Sequence, residues 1–364
     1  MIYLDNGATS FPKPREVSRA MQRALQTCTN PGRGGYQTAM EAGWVVYQCR
    51  ERLAEMFDCE PEQVVFTQNC THGLNIAIRT LVKPGARVVI TGFEHNAVTR
   101  PLHLLGAEII VAGRKLFDWE DTLLAFENAL KSGVSAAIFT HVSNVFGYIL
   151  PVEQMAALCR KYRVPFIIDA AQSAGVLPIS LRLSGAAFIA MPGHKGLLGP
   201  QGTGALLCGE LPKVLMAGGT GSESKNQDMP AFLPDRAEAG TLNIPGIAGL
   251  SGALAYLKQQ RMERILAREQ AMVEAVIPLL EHRGYWVFWG KHQAGTVSFV
   301  PDMDCEEFAE KLAKRGIAVR AGLHCAPLAH ESAGTLETGT VRLSFGHNST
   351  PEQILEISRE IGRI

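Results

Sequence analysis

The chain has 364 residues, with 35 Lys plus Arg against 35 Asp plus Glu, so its formal net charge is zero with neutral histidines. Zero charge excludes a protein held to nucleic acid or an anionic membrane by a long-range positive field. An apolar share of 46% and a charged share of 19% exclude an intrinsically disordered chain, and the length predicts about two domains at roughly 100–200 residues each.

The start, from Met1 to Lys13, carries Asp5 early and has no positive region followed by an apolar one. No apolar run approaches the roughly 18–20 residues that span a bilayer. A cytoplasmic protein with no membrane or nucleic-acid partner is expected. Eight cysteines are too few for a disulfide scaffold, and no two are spaced as in a zinc knuckle, so most are expected to be small buried hydrophobes.

Short runs rich in β-branched and aromatic residues, bounded by Gly, Pro, Asp or Asn, predict strands at 64–67, 87–91, 108–111, 136–140, 165–169, 187–191 and 204–208. Helical periodicity predicts helices at 71–81, 120–131 and 152–162. This alternation means an α/β fold with a mostly parallel seven-stranded sheet, whose ligand edge lies at the carboxyl ends of its strands. After Gly246 the pattern changes. A helical stretch at 249–283, kinked or shortened by Pro278, leads to short strands at 285–289, 296–300, 317–320 and 340–345, with helices at 305–315 and 351–361. The expected organisation is a large domain, 15–246, and a smaller α+β domain formed by 1–14 and 247–364. Residues 321–339 lack periodicity and read as a long functional loop.

The most informative stretch is Phe166-Ile-Ile-Asp169-Ala-Ala-Gln172-Ser-Ala-Gly175, followed by Met191-Pro-Gly-His194-Lys195-Gly. An Asp that ends an apolar strand places a carboxylate at the ligand edge, and a Lys after the next strand reaches the same edge 26 positions later. Pyridoxal 5'-phosphate needs that pair: an amine for its Schiff base and an acid that keeps the pyridine nitrogen protonated. On spacing alone, a structural Asp–Lys ion pair remains an equal alternative.

The motifs Tyr3-Leu-Asp-Asn-Gly-Ala-Thr-Ser10, Phe66-Thr-Gln-Asn-Cys-Thr-His72, Glu94-His-Asn-Ala-Val98, His141-Val-Ser-Asn-Val-Phe-Gly147, Glu238-Ala-Gly-Thr241 and Arg320-Ala-Gly-Leu-His-Cys325-Ala stand in order around this pair. With them the whole chain resembles the class V branch of fold-type I pyridoxal-phosphate enzymes, and within it the cysteine desulfurase and selenocysteine lyase family. The resemblance makes Lys195 the Schiff-base lysine and proton shuttle, Asp169 the partner of the pyridine nitrogen, and Gln172 a donor to the ring hydroxyl. His95 would stack on the ring and trade protons near neutrality. Cys70 and Thr71 begin a helix whose N–H groups suit a phosphate. The resemblance adds the Thr71 hydroxyl, His194, and Thr241 reaching the cofactor of a second subunit, which implies a homodimer.

Arg342 would grip the substrate carboxylate, Asn144 would contact cofactor and substrate, and Arg33 would border the site. Cys325 is the expected nucleophile, swinging from its loop with His324 helping to hold its thiolate. One departure stands out: Pro192 occupies the place of a phosphate-binding Ser or Thr, so a replacement donor is expected from Thr220 or Ser222. Gly199-Pro-Gln-Gly-Thr-Gly204 lacks the lysine of a nucleotide loop and reads as a hairpin beside Lys195. No metal is expected, because His324, Cys325, His330 and Glu331 crowd one loop and make poor ligands for a tetrahedral ion.

The implied activity is conversion of L-cysteine to L-alanine with a persulfide formed on Cys325, selenocysteine being a further candidate substrate. A sulfur-acceptor protein or reductant would follow as partner. Selenocysteine lyase, another class V reaction on a small amino acid, and a non-catalytic sulfur carrier are the alternatives.

Overall fold

The computed structural model describes residues 1–32 and 34–364. Strand β1 (Ile2–Tyr3) precedes helices α1 (Arg15–Thr27) and α2 (Gln37–Phe57). The chain then alternates through β2 (Val64–Thr67), α3 (Cys70–Leu81), β3 (Arg87–Thr91), α4 (Asn96–Leu104), β4 (Glu108–Ala112), α5 (Trp119–Lys131), β5 (Ala136–Thr140), α6 (Val152–Tyr162) and β6 (Phe166–Asp169). The short α7 (Leu181–Ser184), β7 (Phe188–Pro192) and β8 (Gly204–Cys208) complete this part. One seven-stranded sheet results, in the order β2-β8-β7-β6-β5-β3-β4. Its pairs are parallel except for those of β8, which runs antiparallel to both neighbours.

The central strands are buried on both faces because helices cover both, which explains their near-continuous apolar runs. On one face, Val17, Leu53, Phe57, Phe126 and Leu250 pack in one core. On the other, Leu74, Ile78, Val98 and Leu102 pack in a second. Because β7 and β8 form an antiparallel pair, the segment carrying Lys195 is the connection of a hairpin, and Gly199 to Gly204 closes it as expected.

The second half contains α8 (Ile244–Gln260), α9 (Met262–Glu281), β9 (Trp286–Phe288), β10 (Thr296–Val300) and α10 (Cys305–Lys314). It ends with β11 (Ile317–Ala318), β12 (Arg320–Gly322), α11 (Pro327–Ala333), β13 (Thr340–Ser344) and α12 (Pro351–Ile361). A four-stranded sheet, β12-β13-β10-β9, shares a third core with β1, α9, α10 and α12. Helix α8 packs through Ile247, Leu250, Ala253 and Leu257 into the first core.

Three expectations need correction. The long helical stretch breaks at Arg261, whose φ of 63° cannot continue a right-handed helix, whereas Pro278 is tolerated in the last turns of α9. The strand expected at 317–320 is two strands: β11 pairs with β1, and β12 pairs with β13. The expected loop at 321–339 contains α11, which starts with Pro327 in its first turn and stops at Gly334 in the left-handed conformation. Among the described residues, no helix is long and apolar enough to cross a membrane.

Candidate active site

Asp169 ends β6 at the ligand edge, buried, and its Oδ1 accepts hydrogen bonds from the Ala171 N–H at 2.9 Å and the Cys70 thiol at 3.4 Å. Burial raises its carboxyl, against those two donors and the nearby Lys195 ammonium. Lys195 lies in the β7–β8 connection, where burial lowers its ammonium although Cys70 and Asp169 act in the opposite direction. Glycine lets these two turns touch. A Cβ on Gly175, whose φ is +86°, would stand 2.3 Å from the Gly196 carbonyl oxygen, and one on Gly196 would stand 2.4 Å from that of Ala174. No side chain fits between them.

His95 caps α4, its Nδ1 accepting the Ala97 N–H at 3.0 Å, so the ring proton resides on Nε2. Burial, then Lys195 and Arg320, push the imidazole down to about 4. In this state His95 is a neutral ring with one N–H to donate. Its neighbour Glu94 is fully buried, and Glu94 Oε1 accepts the Thr91 hydroxyl at 2.6 Å and the Thr140 N–H at 3.0 Å. That carboxyl joins the ends of β3 and β5, which pair only at Val88–Ala136 and Val89–Ala137 before parting. Burial raises Glu94 to about 8. Sequence reading gave Glu94 no role beyond membership of a motif.

At the other end of the edge, Asn69 caps α3, its Oδ1 accepting the His72 N–H at 2.9 Å. The N–H groups of Cys70 and Thr71 have no helical carbonyl to meet, as in any first turn. His194 lies beside Lys195 with a buried, unpartnered Nδ1, and burial together with Lys195 and Lys13 pushes its ring down to about 4. Of the two replacements expected for Pro192, Ser222 donates to Asp235, and Thr220 lies 3.1 Å from Ser222 within the same loop. Gln172 Nε2 donates to the Gly7 carbonyl at 3.0 Å.

Cys325 is the one exposed cysteine of the eight, all of which are free thiols. His324 and Cys325 both adopt left-handed backbone, with φ of 48° and 57°. Their carbonyls are anchored: that of Cys325 accepts the Asn96 N–H at 2.8 Å, and that of His324 accepts Asn144 Nδ2 at 2.8 Å. The thiol thus sits on a turn whose backbone is held at both residues. The His324 ring is buried with Nε2 3.2 Å from Thr340 Oγ1, and burial drives it to about 2. It is neutral and supplies no cationic support to a thiolate. Its ring lies 5.8 Å from that of His330, while Glu331 pairs with Arg114 at 3.5 Å. These side chains do not converge, and among the described residues no group of three or more could hold a metal.

Arg342, in β13, is buried, donating from Nη1 to the Asn144 carbonyl at 2.9 Å and from Nη2 to Asp5 Oδ1 at 2.6 Å. Asn144 thus touches both the cysteine turn and the arginine. Thr241 is exposed in a different cleft, with Gln68, His72 and Asn243. Three residues before it, buried Glu238 pairs with Arg50 at 2.5 Å and accepts the Phe66 N–H at 2.5 Å. This anchor was missed; its only signal was an arginine amid the apolar positions of α2. Arg33 lies outside the described residues.

The family model described as aminotransferase class-V matches residues 2–357. The chain belongs to the class V aminotransferase family. A probable cysteine desulfurase from Methanothermobacter thermautotrophicus is 32% identical over 97% of this chain and 92% of the relative. A cysteine desulfurase from Haloferax volcanii is 28% identical over 97% of this chain and 87% of its own length. The apo structure of the cysteine desulfurase from Thermococcus onnurineus NA1 superposes with a TM-score of 0.92 at 29% identity, covering 100% of this chain and 94% of that one. The expected fold-type I architecture is therefore present.

Class V enzymes work with pyridoxal 5'-phosphate, and the donors here fit it. Lys195 offers a desolvated amine. Asp169 keeps Oδ2 clear of protein hydrogen bonds among the described residues, as a pyridinium N–H requires. The first turn of α3 offers free N–H groups, and His194 an unpartnered buried nitrogen.

Proposed function

We propose that this chain is a pyridoxal-phosphate-dependent cysteine desulfurase that turns L-cysteine into L-alanine and leaves a persulfide on Cys325. The observation that carries this reading is an exposed thiol anchored by its own backbone to Asn96, next to His95, in a site that also holds Lys195 and Asp169.

In this reading Lys195 binds the cofactor covalently and carries the substrate's α-proton, burial lowering its ammonium and so favouring the free amine. Asp169 holds the pyridine nitrogen, His95 packs on the ring and donates from Nε2, and Gln172 uses its second N–H for the ring hydroxyl. Cys70 and Thr71 through their N–H groups, the Thr71 hydroxyl and His194 take the phosphate. The cofactor itself supplies an electron sink for carbon-centred charge.

Arg342 receives the substrate carboxylate, with Asn144 beside it and Arg33 at the border. Cys325 sulfur attacks the substrate's sulfur: an S–S bond forms, the Cβ–S bond breaks, and its electron pair ends in a new C–H bond. The hydrogen lost by the Cys325 thiol balances the one gained at Cβ; the carbon is reduced by the two electrons that the sulfurs lose. An acceptor thiol or reductant then removes the persulfide sulfur.

Residues 15–246 would form the cofactor unit and 1–14 with 247–364 the second, α8 joining them. A homodimer is the proposed assembly, supported by Thr241 and by the exposed Met40, Trp44 and Tyr47 on α2. Eight free thiols suit a reducing cytoplasm.

The test is alanine formation from cysteine and selenocysteine by wild type and Cys325→Ala. Cysteine turnover is expected to fall at least about 100-fold in the variant; undiminished turnover defeats the mechanism. Activity kept on selenocysteine alone identifies a selenocysteine lyase.

A further inference from the structure

The first strand and the turn after it reach both Arg342 and the Lys195 segment. Asp5 Oδ1 takes one hydrogen of Arg342 Nη2 at 2.6 Å, and the Asn144 carbonyl takes one of Nη1 at 2.9 Å. Nε is buried without a partner. A guanidinium has five N–H bonds, so one hydrogen remains on each terminal nitrogen, available to a carboxylate. Gly7 covers the flat face of the same group: a Cβ there would stand 3.2 Å from Arg342 Cζ.

Asp5 is itself fixed. Its carbonyl accepts the Tyr3 hydroxyl at 3.0 Å, and its backbone bridges to Ser344, two residues beyond Arg342. The same segment continues into the cofactor side of the site. Gly7 donates its N–H to Ser344 Oγ at 2.8 Å and receives Gln172 Nε2 at 3.0 Å. Thr9 and Ser10 hydroxyls donate to the His194 carbonyl, next to Lys195, at 3.1 and 3.2 Å.

We propose that Asp5 is a positioning residue for substrate binding: it holds the Arg342 fork so that its two remaining N–H groups face the substrate's carboxylate. The inference rests on the desulfurase reading, which makes Arg342 the carboxylate site. A buried guanidinium 1% exposed needs a compensating anion. Asp5 supplies it through Nη2 and leaves one hydrogen on each terminal nitrogen, so charge and orientation come from one contact. Asp5 acts through Arg342 and touches neither reacting sulfur nor carbon.

The experiment compares wild type, Asp5→Asn and Asp5→Ala, all loaded with cofactor, in cysteine turnover. A parallel titration follows 3-mercaptopropionate, which has the carboxylate and thiol but no amine, by calorimetry. Asp5→Ala is expected to raise the KM for cysteine at least 10-fold with kcat within threefold, and to weaken 3-mercaptopropionate at least 10-fold. Asp5→Asn, which keeps an acceptor oxygen but loses the charge, is expected to fall between wild type and Asp5→Ala in both. Should Asp5→Ala fail to fold, Asp5→Ser, too short to reach Arg342, carries the same expectation. An unchanged or lower KM in the truncated variant, or a loss confined to kcat, overturns the inference. Wild type that binds neither compound overturns the cysteine reading and this inference together; equal binding by wild type and Asp5→Ala overturns the inference alone.

Discussion

The Cys70 thiol and the Asp169 carboxyl are hydrogen-bonded partners, 3.4 Å apart, in the space between α3 and the end of β6. Burial pushes that thiol well above its ordinary value, with Asp169 adding to the effect, so Cys70 is a donor and not a nucleophile. Thiol donors are weak, and a net bond to a charged oxygen contributes roughly 1 kcal/mol. Cys70→Ser, which keeps a donor, is expected to hold cofactor within about twofold of wild type. Cys70→Ala is expected to bind it roughly fivefold more weakly and to shift the pH titration of its visible absorption. Identical titrations for Cys70→Ala and wild type would remove the thiol's role.

The contact of Gly175 with Gly196 predicts a severe effect of a single methyl group. Gly175→Ala combines an unfavourable positive φ with a backbone atom at 2.3 Å, and must move either the Asp169 turn or the Lys195 turn. A loss of about 3 kcal/mol or more is expected, read as a lower melting temperature. Cofactor uptake by the purified variant should fall as well, because both turns carry residues proposed to hold the cofactor.

Glu238 ties the segment leading to Thr241 onto Arg50 and the start of β2. Removing one partner of a buried ion pair leaves an uncompensated charge, at a cost of about 3–5 kcal/mol. Glu238→Ala is therefore expected to lower the urea midpoint sharply. The double change Glu238→Gln with Arg50→Met should recover much of it, and a double variant no better than Glu238→Ala would show that Arg50 is not the reason.

Glu269 on α9 is buried without a protein hydrogen bond among the described residues, facing a cavity also lined by Lys195, Gln172 and His347. Burial raises its carboxyl from 4.5 to about 8. Below about pH 4.5 the acid is protonated in both folded and unfolded chains. Between 4.5 and 8 only the folded chain keeps the proton, so this group's contribution to stability falls as pH rises through that window. Glu269→Gln cannot ionise. Its melting temperature relative to wild type should climb by several degrees between pH 5 and pH 9, and a constant difference would show that Glu269 does not titrate there.

The strands of the large sheet were legible because both their faces are covered: Ala136–Thr140 and Phe188–Pro192 are buried throughout and almost wholly apolar. Asp169 and Lys195 were legible for the same reason, as charged residues at the ends of such runs. Helix α11 was not, since Pro327 and a short Ala-rich turn look like loop until Gly334 is seen to cap them. The Arg261 break was hidden because an arginine in left-handed backbone carries no sequence mark. Asp5 and Glu238 stood in recognised motifs, yet their roles lie in partners 337 and 188 positions away, and no local pattern encodes such pairings.

With the carbonyls of His324 and Cys325 both fastened to the large sheet's loops, the Cys325 sulfur has little travel beyond rotation about its own Cα–Cβ bond. In the proposed reaction, delivery then becomes a question of the recipient's shape: an acceptor would have to bring its thiol to the mouth of the cleft on a protruding loop or tail. A flat-surfaced protein would leave the sulfur stranded, whereas a small free thiol would collect it unaided.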